Sequence, residues 1–101
     1  MDSLITVQDH DGTTVVRLVG EIDLALRDDA SRALGHALTA GAPVVVDLAD
    51  VAYIDSAGIA FLVQCRRACQ QVGLSCSIRN LPARAADVVE LAGLAEVLGV
   101  S

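Results

Sequence analysis

Val44-Val45-Val46-Asp47-Leu48 is an almost unbroken aliphatic run bounded by helix-like periodicity on either side. A run this short and this β-branched fits a buried strand better than a helix. Parallel strands covered on both faces read in this way. Upstream, Leu26, Ala30, Leu34 and Leu38 recur every four residues, with Ala33 and Ala37 beside them. They form one stripe of a helix, from which Arg27, Asp28, Asp29, Ser31 and Arg32 are excluded. Gly35 inside that stripe costs about 1 kcal/mol relative to Ala, so packing must hold the helix. Gly41 and Pro43 end it. Downstream, a second helix is predicted from near Ser56 to about Val72, with Phe61, Cys65, Ala68 and Val72 in one row and Gly73 as its stop.

The remaining segments complete an α/β pattern. Ile5 and Val7 alternate with polar neighbours, and Asp11-Gly12 follows, the strongest short hairpin signal because both positions of the turn need positive φ. Residues 13–19 form the partner strand, with Val16 and Leu18 toward the core. Gly20-Glu21-Ile22-Asp23 interrupts this pattern, and Asp50 to Tyr53 reads as a short link. A strand is expected over residues 75–79, a third helix over 83–92, and a last short strand over 97–100. The expectation is a mixed, mostly parallel sheet of four to five strands with about three packed helices, forming one domain over residues 1–101. The chain has one Phe, one Tyr and no Trp, so its core must be built from Val, Leu, Ile and Ala.

Charge and cysteine usage exclude several classes of function. Thirteen acids face seven cations, all Arg, for a formal net charge of −6. Nucleic acid and anionic lipid both require a basic footprint. No apolar run reaches the roughly 18 residues that span a bilayer. Met1-Asp2-Ser3 opens no secretory signal, so a cytoplasmic location is expected. Cys65, Cys69 and Cys76 match no zinc or C-x-x-C spacing. Cys65 and Cys69 fall on the apolar stripe of the second helix and read as small buried hydrophobes, while the facing of Cys76 is open. His10 and His36 fall in no ligand-like array. A Ser hydrolase is disfavoured because G-x-S-x-G is absent and neither His is placed to serve Ser56. No metal or cofactor is expected.

Right-handed crossovers bring the carboxyl ends of parallel strands to one edge of a sheet. Gly20-Glu21-Ile22-Asp23, Tyr53-Ile54-Asp55-Ser56-Ala57-Gly58 and Asn80-Leu81-Pro82 should meet there. Asp55 or Ser56 caps the second helix, and Gly58 permits close approach of another chain. A hydroxyl at a helix N-terminus is also well placed to carry phosphate. Phosphate on Ser56 would add about −1.5 to −2 charges beside Asp55 and near Asp23, with Arg79 the one basic residue expected close by.

These residues resemble a family. Two segments, Gly20-Glu21-Ile22-Asp23 opening the first helix and Asp55-Ser56-Ala57-Gly58-Ile59 opening the next, are similar to the paired signatures of STAS domains, the anti-sigma factor antagonists. Leu91-Ala92-Gly93-Leu94 and the strand ending in Asp47-Leu48 extend the likeness over essentially the whole chain. The resemblance implies a non-enzymatic partner switch, monomeric when unbound. The antagonist would bind an anti-sigma factor serine kinase of the GHKL fold and free the sigma factor. Phosphorylation at Ser56 would release it, and a PP2C-like phosphatase would reset it. The implied partner-binding residues are Glu21, Asp23, Asp55, Ser56, Ala57, Gly58 and Ile59. Ala57 stands where many antagonists have a second Ser or Thr, and the sequence ends at Ser101 where many add a helix. Both features are shared with STAS-type accessory subunits of ABC lipid transporters, the alternative function that the resemblance implies.

Overall fold

The computed structural model describes residues 3–99. Asp11 and Gly12 adopt φ of 50° and 79°, the left-handed pair that turns β1 (Leu4–His10) tightly into β2 (Thr13–Ile22). The two strands pair antiparallel from His10↔Thr13 to Leu4↔Val19. A single turn of 3-10 helix, Leu24–Leu26, then leads into α1 (Arg27–Ala40). Gly41, left-handed at φ 69°, closes α1. The chain continues through β3 (Val44–Ile54), α2 (Ser56–Gln71), β4 (Cys76–Arg79), α3 (Ala83–Leu91) and α4 (Ala95–Leu98). Strand order in the sheet is β1-β2-β3-β4, with β2, β3 and β4 parallel.

Four expectations need correction. Residues 50–53 are strand, not a link, and residues 20–22 belong to β2. Register shifts between Arg17 and Val19, and again between Gly20 and Glu21, each give β3 one extra residue opposite β2. Such bulges break the period of two, which hid the far half of both strands from pattern reading.

Nor is the central strand covered on both faces. Val16, Leu18, Val44, Val46, Leu48 and Cys76 share one buried cluster with Ala30, Leu34, Ile59, Leu62, Val89 and Leu98 of the four helices. On the other face Val15 and Val45 are half-buried and Arg17 is exposed. There Asp47 forms an ion pair with Arg17 at 3.6 Å. It also accepts hydrogen bonds from the Asn80 amide (2.9 Å) and the Ala49 N–H (3.0 Å). The Asn80 bond above all, then that of Ala49, with the charges of Arg17 and Arg79 behind them, holds its carboxyl below the usual carboxylate range. Aliphatic composition had suggested a second layer, but among the described residues the valine row beside this polar network stands without one.

The expected last strand is helical where described. Residues 95–98 make a turn of helix with Leu98 fully buried, and Gly99 closes it at φ 70°. Val100 lies outside the described residues. Burying Leu98 against α2, between the left-handed Gly93 and Gly99, selects helix over an edge strand. The fold therefore has, among the described residues, four strands and four helices.

Candidate functional site

The far ends of β2 and β3 lie side by side, with Ile22 opposite Ile54. The Asp55 N–H donates to the Ile22 carbonyl at 3.2 Å. That bond stitches the start of α2 to the end of β2, so two of the three segments expected at one edge do meet. The third divides: Pro82 reaches the site, whereas Asn80, left-handed at φ 59°, turns to Asp47.

Asp55 is the cap of α2. Its backbone is extended (φ −97°, ψ −173°) and Oδ1 accepts the Gly58 N–H at 3.0 Å. Ser56 is therefore the first residue inside the helix, exposed, its hydroxyl not engaged in capping. The N–H groups of Ser56 and Ala57 belong to the first turn, where no carbonyl lies one turn behind to receive them. The local field at Ser56 Oγ thus favours an anion.

Gly58 and Ile59 are buried and shape the surface from beneath. The close approach that Gly58 allows is to its own chain. A Cβ there would overlap Ile54 Cγ1 and stand 3.0 Å from the Ile22 carbonyl oxygen. Asp23 is half-buried and accepts the Ala25 N–H at 2.9 Å, which starts the 3-10 turn. Glu21 is exposed, Ala57 half-buried.

The first turn of α2 separates two grooves. One, of about 410 Å³, is lined by Asp23, Leu26, Arg27, Ala57 and Phe61. The other, of about 500 Å³, is lined by Tyr53, Asp55, Ser56, Pro82, Arg84 and Val88. Asp23 lines the first of these grooves and Ser56 the second. Beside the second groove Tyr53 is 55 % exposed and Val88 50 %, and Leu91 further along α3 is 88 % exposed. Sequence reading missed this apolar wall. Its signal was a second row on α3, Val88 and Leu91, beside the Ala85 and Val89 that face the core. Arg84 lines the second groove with Ser56, while Arg79 at the end of β4 stands opposite Asp47.

Cys65, Cys69 and Cys76 are free thiols, all buried, so the facing of Cys76 is inward. Burial pushes each thiol up, that of Cys76 to about 12. Such thiols are poor nucleophiles. Among the described residues no helix is long and apolar enough to cross a membrane.

A four-stranded mixed sheet helical on one face, with a capped helix start between two grooves at its edge, agrees with the sequence comparison. The chain belongs to the STAS family: residues 5–99 match the family described as "Mlab, STAS domain". The anti-sigma-B factor antagonist of Bacillus subtilis (strain 168) is 26% identical over 101 residues, which span 100% of this chain and 93% of that protein. The crystal structure of an anti-sigma factor antagonist from Mycobacterium paratuberculosis superimposes with a TM-score of 0.77 at 27% identity, covering 98% of this chain and 85% of that one. The Bacillus cell fate determinant SpoIIAA in its phosphorylated form shares the fold, with a TM-score of 0.73 at 20% identity over 92% of this chain and 86% of that one.

Proposed function

We propose that this protein is an anti-sigma factor antagonist that binds an anti-sigma factor serine kinase of the GHKL fold and is switched off by phosphorylation at Ser56. One observation carries the reading: Asp55 does the capping, which leaves the Ser56 hydroxyl exposed and uncommitted at the start of α2. The apolar grooves on either side suit a partner that docks over this turn. The kinase brings the ATP. Ser56 Oγ bonds to the γ-phosphorus, the bond to the β-bridging oxygen breaks, ADP leaves, and the hydroxyl proton passes to a base on the kinase. The chain itself performs no catalysis and acts in the cytoplasm, where a PP2C-like phosphatase removes the phosphate. Glu21, Asp23, Asp55, Ser56 and Ala57 supply the docking surface, supported from below by Gly58 and Ile59.

A working switch requires at least a tenfold loss of affinity on phosphorylation, which corresponds to about 1.4 kcal/mol. Intact-mass analysis after incubation with the cognate kinase and ATP should show one added phosphate, absent in Ser56→Ala. Phosphate on another residue, or none, refutes the assignment. A second reading, an accessory subunit of an ABC lipid transporter, is favoured by the family description matched over residues 5–99. In pull-downs with wild type, Ser56→Ala and Ser56→Asp, the antagonist recovers a GHKL kinase with the first two alone. Equal recovery of a transporter ATPase by all three supports the second reading.

A further inference from the structure

We propose that the phosphate on Ser56 is gripped within the second groove by Arg84 and the open first turn of α3, so that phosphorylation also fastens α3 to α2. The inference rests on Ser56 being the phosphoacceptor. Ser56, Pro82, Ala83 and Arg84 line one groove. An arginine guanidinium offers a planar fork of N–H donors that matches phosphate oxygens two at a time. Arg84 is exposed, and among the described residues it forms no ion pair, whereas Arg17 and Arg32 are each engaged with an aspartate. It is thus an arginine lining the same groove as the serine, without a carboxylate to give up.

The start of α3 adds to this. The helix is nine residues long, its cap position is Pro82, no side chain caps it, and its first turn holds no acid. Its first internal bond runs from the Ala86 N–H to the Pro82 carbonyl at 2.9 Å. The N–H groups of Ala83, Arg84 and Ala85 precede that bond and have no intrahelical acceptor. A phosphoserine carries about −1.5 to −2 charges and three acceptor oxygens. It would supply the cap that Pro82 cannot, while Arg84 balances the charge.

Tyr53, Asp55 and Arg84 are the titratable side chains that line the groove. The Asp55 carboxylate, held on the Gly58 N–H, repels the phosphate from its own side and turns it toward α3. The modified serine then occupies the space beside Tyr53 and Val88. Partner release follows from a filled groove and a pinned helix as much as from added charge.

The test is a phosphorus NMR titration of protein carrying phosphoserine at position 56, installed during translation so that no kinase is needed. In the wild type the second ionisation should fall below its ordinary value near 6 by about one pH unit. Arg84→Gln should abolish most of that shift, Arg84→Lys part of it, and Arg79→Gln none of it. Amide shifts of residues 83–85 on phosphorylation should be large in the wild type and small in Arg84→Gln. Should Arg84→Gln fail to fold, Arg84→Lys and the wild-type amide shifts decide alone. A phosphate that titrates at its ordinary value in the wild type, or identically in wild type and Arg84→Gln, overturns the grip. Failure of the kinase to modify Ser56 would instead overturn the phosphoacceptor assignment and leave this titration unaffected.

Discussion

Gly58→Ala sets two opposed effects against each other in the first turn of α2. In an open helix the change would stabilise by about 1 kcal/mol, because Ala has the higher helix propensity. Here the added methyl overlaps Ile54 Cγ1 and lies 3.0 Å from both Ile54 Cδ1 and the Ile22 carbonyl oxygen. The Ile54 side chain can rotate away, but the Ile22 carbonyl is held by the Asp55 N–H and by its strand. Overpacking of this kind costs about 1–3 kcal/mol, which outweighs the gain in propensity. The expected net loss is about 1 kcal/mol, or roughly 4–8 °C in Tm for a domain of this size. Urea and thermal unfolding of wild type, Gly58→Ala, Ile54→Ala and the double variant measure it. Trimming Ile54 should recover part of the loss, so the double variant should be more stable than the sum of the single effects. A Gly58→Ala protein as stable as wild type, or more so, would refute the account of α2 as wedged against the ends of β2 and β3.

Asp55→Ala removes the cap and should lower stability by about 1 kcal/mol, whereas Ser56→Ala should stay within about 0.5 kcal/mol in the same unfolding experiment. Equal losses would return the capping role to Ser56. The thiols predict an alkaline limb. In the folded chain they ionise above their unfolded value of about 8.5, Cys76 near 12. Above pH 8.5 the unfolded state therefore binds fewer protons, and stability falls as pH rises, by up to about 1.4 kcal/mol per pH unit for each thiol. Cys76→Ala should make that limb shallower, as read from urea midpoints between pH 8 and 10.

The hairpin and the paired segments at the sheet edge were legible because each rests on local chemistry. Asp11-Gly12 alone satisfies the turn, and Asp55-Ser56 ahead of an apolar row announces a helix start. The cap itself stayed open between Asp55 and Ser56, since either oxygen would serve and only backbone geometry decides. What failed to show was non-local. The bulges opposite Arg17 and Gly20 depend on how two strands meet, and pattern reading follows one strand at a time. Val15 and Val45 have the composition of buried positions, and nothing in their own segments says that the second face stays open. Arg84 was missed for a related reason. It lies 28 residues from Ser56 in sequence, and only the packing of α3 brings the two into one groove.

Arg66 gives the far end of the molecule a property of its own. From α2 its guanidinium donates to the Cys76 carbonyl in β4 and, at 3.3 Å, to the Val97 carbonyl in α4. A Cβ on Gly99 would press against the same guanidinium. β4 is a four-residue strand at the edge of the sheet and α4 a single turn, and segments so short have little cooperativity alone. Sharing one side chain makes their opening a joint event. Amide protons in β4 and α4 should exchange with solvent at matched rates, as one unit slower than either segment would sustain alone. Through Arg66, α4 thereby acts as a brace for β4 at the edge of the sheet, and its loss would loosen that strand.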